Sequence, residues 1–381
     1  MKVTILSHNL SSNAVMRAHR LAQATRTFAE VELVGPVSRQ GPWAALPPEP
    51  WIRSVQKRRF PEFHDSFIEL VEAADGDVLI AVKPFLASFG AALVAAERRD
   101  VPVVLDIDDL DVALAPRSEW ASNASMADLS RPASSVYVSL LTKAVGAAAA
   151  ITVSSTALQR RFGGTLIPHG PDTEVFDPAG IDREEARRAF GFTGPTVLFP
   201  GTPRPHKGLQ PLARAVSRVP GVRLAVTCRP EDLAEPEWGR CPLNRIPLVP
   251  YPALPKLLAA ADIVAIPQLT SEPARYQMPM KVFDAMAMGK PILASSVSDL
   301  PLVLEGCGRL VPPGDVDELA AVISELINDP EGAHALGECA RIRCLEHYSM
   351  KRIGEKLRML LSQVASVSDR DSLSSKWKRA H

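Results

Sequence analysis

The sequence predicts an α/β protein with two doubly wound parallel sheets, and three observations lead to this prediction. The chain has 381 residues, which is long enough for two domains of ordinary size. Short apolar runs alternate with segments whose apolar residues recur every three or four positions, as in βαβ units. This alternation begins near the N-terminus and starts again at residue 196, after a charged segment over 182–188 that is predicted to be a linker.

In the first half, the predicted strands are short runs of β-forming residues, and the predicted helices are longer and amphipathic. The strands are expected at residues 3–7, 31–34, 77–82, 101–106, 150–153 and 165–168. The helices are expected at residues 15–24, 61–73, 87–98, 135–147 and 155–162. Residues 36–60 are rich in proline and residues 117–130 are polar, so both segments are predicted to lack regular structure.

The second half repeats the alternation and then ends in helices. Its strands are expected at residues 196–200, 222–227, 246–250, 263–267, 292–295 and 309–311. Its helices are expected at residues 210–218, 254–261, 279–288, 315–327, 331–347 and 350–364. Ligands of such sheets bind beyond the carboxyl ends of the strands, so the cleft between two sheets is the expected site.

Composition excludes several classes of protein. Lys and Arg number 43 and so do Asp and Glu, which argues against a nucleic-acid or anionic-membrane footprint. The five cysteines form no CxxC pair or zinc-type cluster, so we expect reduced thiols in a cytoplasmic protein. The first apolar run is too short for a signal peptide, and the longest one, over 144–153, is about half a membrane span.

The loop after the predicted strand 196–200 has the composition of a phosphate site. Gly201 and Gly208 allow close backbone approach, Arg204 and Lys207 supply positive charge, and a helix N-terminus follows. The alternative is a solvated loop that happens to carry two surface cations.

The segment 279–291 predicts a helix that presents an acid and a base. Pro279 suits a helix start and Gly289 a helix end, while Lys281 and Asp284 are three residues apart on one face. A carboxylate there can accept two hydrogen bonds from a ribose diol. The alternative is an exposed ion pair that contributes little to stability.

Four motifs in this order resemble glycosyltransferase family 4. They are the loop ending in Lys207-Gly208, the PxKxF(E/D)AMAxGKP pattern at 279–291, the segment 309–315 that heads a helix, and the segment 167–176, which is similar to NGVDxxxF. The resemblance implies the GT-B fold, which has two Rossmann-like domains with a cleft between them. It also implies a nucleotide-sugar donor held by the C-terminal domain, an acceptor held by the N-terminal domain, and retention of anomeric configuration without a metal.

The resemblance also implies domain boundaries. Residues 1–172 would form the N-terminal domain on the acceptor side, joined by the last helix over 350–365. Residues 173–349 would form the donor domain. The polar tail 366–381 has a basic end and is expected to be disordered, with at most a peripheral contact to the inner membrane face or a partner.

Site residues follow from the resemblance position by position. Lys207 and Arg204 would stabilise the leaving diphosphate, and Asp108 stands about where the family has a histidine near the donor sugar. The residues assigned to donor binding are Gly201, Thr202, Lys281, Asp284, Glu272, Tyr276, Met278, Ser11, Ser12 and Asn13.

The sequence departs from the family at three of these places. Gly201-Thr202 stands for the usual Gly-Arg, and Tyr276 stands where the family has the first of two glutamates, with Glu272 four residues earlier. The segment Ser11-Ser12-Asn13 replaces a glycine-rich first loop.

The acids at 106–109 leave three interpretations open. Asp108 could orient the acceptor hydroxyl or the sugar. Asp106 and Asp108 could instead form a DxD metal site, since carboxylates suit hard cations. One of these acids could also be a structural cap. His8, His169 and His206 lie in candidate loops, where a structural histidine is as well supported as a catalytic one.

The predicted function is transfer of a sugar from a nucleoside diphosphate sugar to an unidentified acceptor, with no cofactor. One alternative is a nucleotide-sugar epimerase of the GT-B type. The other is a non-catalytic nucleotide-sugar-binding partner of another transferase.

Overall fold

The computed structural model describes residues 1–114, 126–229 and 241–368. The chain forms two compact units. Unit 1 comprises Met1–Pro168 and the chain from Ile353 onward, and unit 2 comprises His169–Arg352. Among the described residues, no helix is long and apolar enough to cross a membrane.

Unit 1 is built on a seven-stranded parallel sheet in the order β3-β2-β1-β4-β5-β6-β7. Its strands are β1 (Lys2–Ser7), β2 (Glu30–Val37), β3 (Ile52–Gln56), β4 (Val78–Val82), β5 (Val103–Ile107), β6 (Ala150–Val153) and β7 (Thr165–Leu166). The central strands β4 and β5 are buried along their whole length, which explains their continuous apolar sequence.

The helices of unit 1 connect these parallel strands. They are α1 (Val15–Arg26), α2 (Phe63–Ala73), α3 (Ala91–Arg99), α4 (Asp111–Leu114), α5 (Met126–Leu129), α6 (Ser135–Lys143) and α7 (Thr156–Phe162). A π-helical turn, Leu86–Gly90, precedes α3, so the helix predicted at 87–98 begins in a different helical geometry.

Unit 2 repeats the same plan with a six-stranded parallel sheet in the order β10-β9-β8-β11-β12-β13. Its strands are β8 (Thr196–Phe199), β9 (Arg223–Thr227), β10 (Leu243–Ile246), β11 (Ile263–Ile266), β12 (Ile292–Ser295) and β13 (Arg309–Val311). Both sheets therefore contain the nucleotide-binding order 3-2-1-4-5-6, which unit 1 extends by a seventh strand, and the predicted α/β fold class is confirmed.

The helices of unit 2 cover its sheet. They are α8 (Arg183–Phe190), α9 (Leu209–Val216), α10 (Leu254–Ala260), α11 (Glu272–Tyr276), α12 (Met280–Ala287), α13 (Leu300–Val303), α14 (Val316–Asn328) and α15 (Pro330–His347). One core packs Leu212 of α9 and Leu319 of α14 against Val197 and Leu224 of the sheet. The last helix, α16 (Met350–Ser368), belongs to unit 1 from Ile353 on.

Three predictions about elements were wrong. The segment 36–60 is not all loop, because β3 pairs along β2 and extends the edge of the sheet. The supposed linker 182–188 lies mostly in α8, where Asp182 caps the helix start and Arg187 forms a 3.0 Å ion pair with Asp262. The strand predicted at 246–250 lies earlier, at β10, where it pairs with β9.

The predicted tail starts too early, because α16 continues to Ser368. Residues 369–381 and residues 117–125 of the predicted polar segment lie outside the described residues.

Candidate functional site

The candidate site in unit 2 lies where the strand order reverses. From β8 the chain runs to β9 on one side, and from β11 it runs to β12 on the other, so the two loops diverge above the sheet. Ligands of doubly wound sheets bind at this crevice beyond the carboxyl ends of the strands. The loop after β8 and the loop after β11 carry most of the predicted donor residues.

The loop after β8 is tied to the loop after β11 by backbone contacts. Pro205–Lys207 form a 3₁₀ turn that ends at Gly208, which has a φ of 70°. A Cβ atom on Gly208 would overlap the carbonyl oxygen of Pro267, and the Leu269 N–H donates to the His206 carbonyl at 2.9 Å. Only glycine adopts this positive φ without strain and also leaves room for the Pro267 carbonyl, which explains the glycine before α9.

Lys207 reaches from this loop to the segment between α11 and α12. Its ammonium group donates a hydrogen bond to the side-chain oxygen of Gln277. This contact holds a cation at the carboxyl edge of the sheet. It connects two segments that are seventy residues apart in the sequence.

Lys281 brings a second cation to the same place. Its Nζ lies in the space that a Cβ atom on Gly201 would occupy, and 5.4 Å from the ring centre of Phe199. Burial, together with the nearby charges of Lys207 and Arg204, lowers the pKa of Lys281 to about 7. The structure thus brings Gly201, Arg204, Lys207 and Lys281 together, in surroundings where an anion would be stabilised.

Two further donor candidates, Asp284 and Met278, are buried. Asp284 is 4 % exposed and Met278 is 2 % exposed, so the alternative of an exposed Lys281–Asp284 pair is wrong. Asp284 still acts on its neighbour, since its charge raises the pKa of Lys281 against the effect of burial.

The remaining donor candidates of unit 2 lie on the surrounding loops. Glu272 and Tyr276 are the first and last residues of α11, whose start is capped by the Ser271 side chain. Glu272 is exposed, while Tyr276 and Thr202 are half-buried.

Sequence reasoning missed Gln268, which follows β11 directly. Its side chain is 1 % exposed, and neither its amide oxygen nor its amide nitrogen has a hydrogen-bond partner among the described residues. Burying an amide without hydrogen-bond partners costs free energy of folding. The Gln268 amide at this edge of the sheet therefore points to a ligand that supplies the partners. The sequence carries no motif for it; a lone polar residue after a buried strand is the only signal.

In unit 1, the loop after β1 is held by its own side chains. The Ser11 hydroxyl accepts from the Ser38 N–H at 2.8 Å, and the Asn9 amide donates to the Ser12 hydroxyl at 3.0 Å. Asn13 is exposed. The hydroxyls of Ser11 and Ser12 therefore shape the loop, and the Asn13 side chain faces solvent.

The acids after β5 separate into two groups. Asp106 is fully buried and pairs with Arg17 of α1 at 2.9 and 2.7 Å, and the Thr152 hydroxyl donates to it at 2.6 Å. Arg17 also donates to the carbonyls of Ile167 and Pro168. Asp106 is therefore a structural residue that anchors α1 to the sheet.

Asp108 belongs to the second group, which surrounds the buried ammonium group of Lys83. Lys83 lies 2.9 Å from Asp108, 2.7 Å from Asp109 and 3.0 Å from Asp111. Burial raises the pKa of Asp108 to about 6 and that of Asp111 to about 7. Burial lowers the pKa of Lys83, but the three carboxylates outweigh it and raise that pKa well above its ordinary value.

A metal does not fit the Asp106 and Asp108 pair, because each acid already faces its own cation. Within residues 1–114, 126–229 and 241–368, no group of three His, Cys, Asp or Glu side chains could hold a metal ion. His8 stacks on Phe85 with ring centres 4.1 Å apart, and burial lowers its pKa to about 3.

Two Rossmann-like units, the second with converging cations at its switch point, define a protein of the GT-B fold class. Solved structures support this class: the Anabaena protein HepE in complex with UDP-glucose matches with a TM-score of 0.72. That match covers 95 % of this chain and 100 % of that chain at 17 % identity.

Residues 194–329 of this chain, which lie in unit 2, match the family described as glycosyl transferases group 1. Two similar proteins also bear glycosyltransferase names. D-inositol 3-phosphate glycosyltransferase of Mycobacterium marinum is 33 % identical over 184 residues, 44 % of this chain and 38 % of that protein. MMP alpha-(1->4)-mannosyltransferase of Mycolicibacterium hassiacum is 31 % identical over 200 residues, which are 49 % of this chain and 45 % of that protein.

These matched segments span less than half of either relative. The resemblance to glycosyltransferases of the GT-B fold, predicted from the four motifs, is nevertheless confirmed.

Proposed function

We propose that this protein transfers a glycosyl group from a nucleoside diphosphate sugar to an acceptor, with retention of anomeric configuration. The observation that carries the proposal is the convergence of Arg204, Lys207 and Lys281 at the carboxyl edge of β8 and β11. Both relatives bear glycosyltransferase names, and HepE, of the same fold, is known in complex with UDP-glucose.

The chemical demand on the site is to stabilise a leaving diphosphate. As the bond between the sugar C1 and the phosphate oxygen breaks, the electron pair stays on that oxygen and negative charge develops there. Lys207 and Arg204 meet this charge without reorganising, and the N-terminus of α9 adds its dipole. The bond from the acceptor oxygen to C1 forms, and the departing phosphate oxygen can take the acceptor proton, so no protein nucleophile is required.

Donor binding is assigned to the residues around these cations. Asp284 accepts hydrogen bonds from the ribose hydroxyls, and Lys281 pairs with the diphosphate. Gln268 supplies an amide without hydrogen-bond partners among the described residues, Glu272 and Tyr276 are assigned to the adjoining surface, and the buried Met278 is assigned to its support. The Thr202 N–H is assigned to the diphosphate, since the Gly201 N–H already donates to the Phe199 carbonyl at 3.1 Å.

On the acceptor side, Asp108 is the proposed group that orients the attacking hydroxyl. Its pKa of about 6 lets this carboxyl accept a proton near neutral pH, and Lys83 holds it in place. We further propose that the reaction needs no metal and no cofactor beyond the donor. A cytoplasmic location is consistent with all five cysteines being thiols.

A donor panel tests the function. UDP-, GDP-, ADP- and dTDP-sugars are compared by thermal shift, and the donors that bind are incubated with and without candidate acceptors. We expect sugars of one nucleotide to raise the melting temperature and to release a glycosyl group. The same panel with Asp284→Asn should show weaker binding of the preferred donor, while Asn328→Asp, an exposed change on α14, should not.

Two outcomes would contradict transfer. A sugar that is altered but still attached to its nucleotide would indicate an epimerase. Binding without any hydrolysis or transfer would indicate a nucleotide-sugar-binding partner of another enzyme.

A further inference from the structure

Unit 1 contains a large cavity that the donor site does not use. Its volume is about 1040 Å³, at the upper end of the range for small-molecule pockets. It lies at the carboxyl edge of the sheet, since His8 follows β1, Ser38 follows β2 and Lys57 follows β3, and all three line it. The position is that of a substrate site in a doubly wound domain.

The lining of this cavity carries an excess of positive charge. The cations are Arg39, Lys57, Arg58, Arg59 and Arg131, and the acids are Glu62 and Asp128. Arg131 is paired with Asp128, and Arg58 lies 3.1 Å from Asp65 outside the cavity.

Three of these cations remain without an acidic partner. In the part of the chain that the structure describes, no ion pair involves Arg39, Lys57 or Arg59. Arg39, Lys57 and Arg59 are exposed at the cavity, and partial desolvation lowers the pKa of Lys57. A bound anion could pair with these three cations and would raise the pKa of Lys57.

Hydrogen-bond donors converge on the same cavity. Ser134 is 8 % exposed, lines the cavity, and has a hydroxyl without a hydrogen-bond partner among the described residues. It occupies the N-cap position of the nine-residue helix α6, yet its side chain does not cap that helix. The α6 N-terminus, with its partial positive charge, therefore faces the cavity beside an unmet hydroxyl.

Other parts of the lining are apolar and fit a carbon skeleton. Phe63, Phe85, Pro36 and Pro132 line the cavity, and Phe85 is stacked on His8. A ligand with one strongly anionic group and an uncharged body matches both the positively charged and the apolar parts of the lining.

We propose that this cavity binds a phosphomonoester, and that the acceptor of the transfer reaction carries that group. The second half of this statement rests on the proposed function. A phosphomonoester carries about −1.5 to −2 charges near neutral pH and three acceptor oxygens. It therefore suits three unpaired cations and a helix N-terminus better than a carboxylate with a single charge.

Calorimetric titration of the full-length protein without nucleotide sugar tests the site. The probes are glycerol 3-phosphate and glucose 6-phosphate, with glycerol and glucose as their uncharged counterparts and inorganic phosphate alone. We expect saturable binding of the phosphate esters and none of the uncharged compounds. Arg59→Ala and Ser134→Ala should weaken ester binding, with a loss of about tenfold or more for Arg59→Ala, as expected for a charge-assisted hydrogen bond.

Arg53→Ala is the matched control, because Arg53 is an exposed arginine of β3 that does not line the cavity. Equal losses for Arg53→Ala and Arg59→Ala would overturn the proposal, and so would equal affinity for glycerol and glycerol 3-phosphate. Vesicles of phosphatidylcholine with and without phosphatidic acid distinguish the source of the ester. Binding to both the free esters and phosphatidic acid, lost in Arg59→Ala, supports a lipid-borne phosphate; binding to vesicles alone overturns the cavity as the site.

The titration separates this proposal from the proposed function. The protein could bind the esters, lose that binding in Arg59→Ala, and yet turn over no donor. This result would support the cavity site and reject glycosyl transfer. Donor turnover with no ester binding would reject the cavity site alone.

Discussion

At the scale of single residues, the proposed function assigns to Lys207 the stabilisation of charge on the leaving diphosphate. Its ammonium group contacts a neutral amide, Gln277, and its charge is felt by Lys281. A charge that acts more strongly on the transition state than on the ground state lowers kcat when it is removed. We expect Lys207→Ala to lower kcat by roughly 10²–10³, the usual loss for one preorganised donor to a developing anion.

Two further variants sharpen this test in steady-state kinetics. Lys207→Arg should recover only part of the rate, because a planar guanidinium places its charge differently from an ammonium. Lys256→Ala is the control, since Lys256 forms a surface pair with Glu185 at 2.6 Å. A folded Lys207→Ala protein with normal kcat and only a raised donor KM would show that Lys207 merely binds.

The lowered pKa of Lys281 predicts that donor binding depends on pH. Its pKa lies at about 7 instead of 10.5, so above pH 7 the free protein increasingly holds a neutral amine. A bound diphosphate favours the ammonium form, so binding takes up a proton. Affinity for the donor should therefore be highest below pH 7 and fall as pH rises, by roughly tenfold between pH 7 and 9.

Calorimetry in buffers of different ionisation enthalpy measures this proton uptake. Lys281→Gln should bind the donor weakly and without the pH dependence. Lys290→Gln is the matched control, because Lys290 is another lysine of unit 2 whose pKa burial lowers, to about 8, outside the donor site. If Lys281→Gln kept the pH dependence, the proton would have to be taken up elsewhere.

At the scale of elements, the turn into α9 depends on Gly208. Gly208 and Gly191 have nearly the same φ, 70° and 68°, but only at Gly208 would a Cβ atom meet another backbone atom. Gly191→Ala should lower the free energy of unfolding by about 1–2 kcal/mol, because alanine is strained in the left-handed backbone conformation. Gly208→Ala should cost about 1–3 kcal/mol more, because the loop must move away from Pro267.

Chemical unfolding of the two variants measures this difference, and donor binding provides a second readout. Movement of the loop should weaken donor binding in Gly208→Ala and leave it intact in Gly191→Ala. Equal stability of the two proteins would mean that the contact with Pro267 yields easily.

The ion pair between Arg17 and Asp106 holds α1 on the sheet of unit 1. Both side chains are at most 2 % exposed, and Arg17 also donates to the carbonyls of Ile167 and Pro168, which directly follow β7. Removing Arg17 leaves a buried carboxylate without its cation, so Arg17→Met should destabilise the protein by about 3–5 kcal/mol in urea unfolding. Asp106→Asn should cost less, because the bonds from Arg17 to the carbonyls remain. An Arg17→Met protein as stable as the parent would contradict this assignment.

The elements that sequence reasoning missed share one cause. The strand β3 has an irregular, proline-rich approach and only one fully buried residue, Val55, so its pattern is weak; its register along β2 defines it. The helix α8 is so charged that it resembles a linker, but Ala186 is buried and Arg187 pairs with Asp262. Edge elements depend on partners distant in the sequence, and local patterns do not reveal those partners.

At the scale of the whole molecule, each unit holds buried or half-buried lysines at the carboxyl edge of its sheet. Lys83 lies among Asp108, Asp109 and Asp111, and Lys207 and Lys281 converge in unit 2. We therefore expect glycosyl transfer to be unchanged in excess EDTA, measured as initial rate with the preferred donor. Complete loss of activity that Mn²⁺ restores would reject this arrangement.

The sequence by itself determined the α/β class, most of the strands and helices, and the loop that leads into α9. These features are local, since apolar periodicity and the placement of glycine and proline depend on near neighbours. The tertiary structure alone decided which charges meet. It placed the Lys281 ammonium group against Gly201, gave Asp106 an arginine and Asp108 a lysine, and gathered Lys57 and Ser134 around one cavity. Strand order and burial create these contacts, and they also shift the pKa of Lys281 and Asp108, because desolvation acts only once the chain has folded.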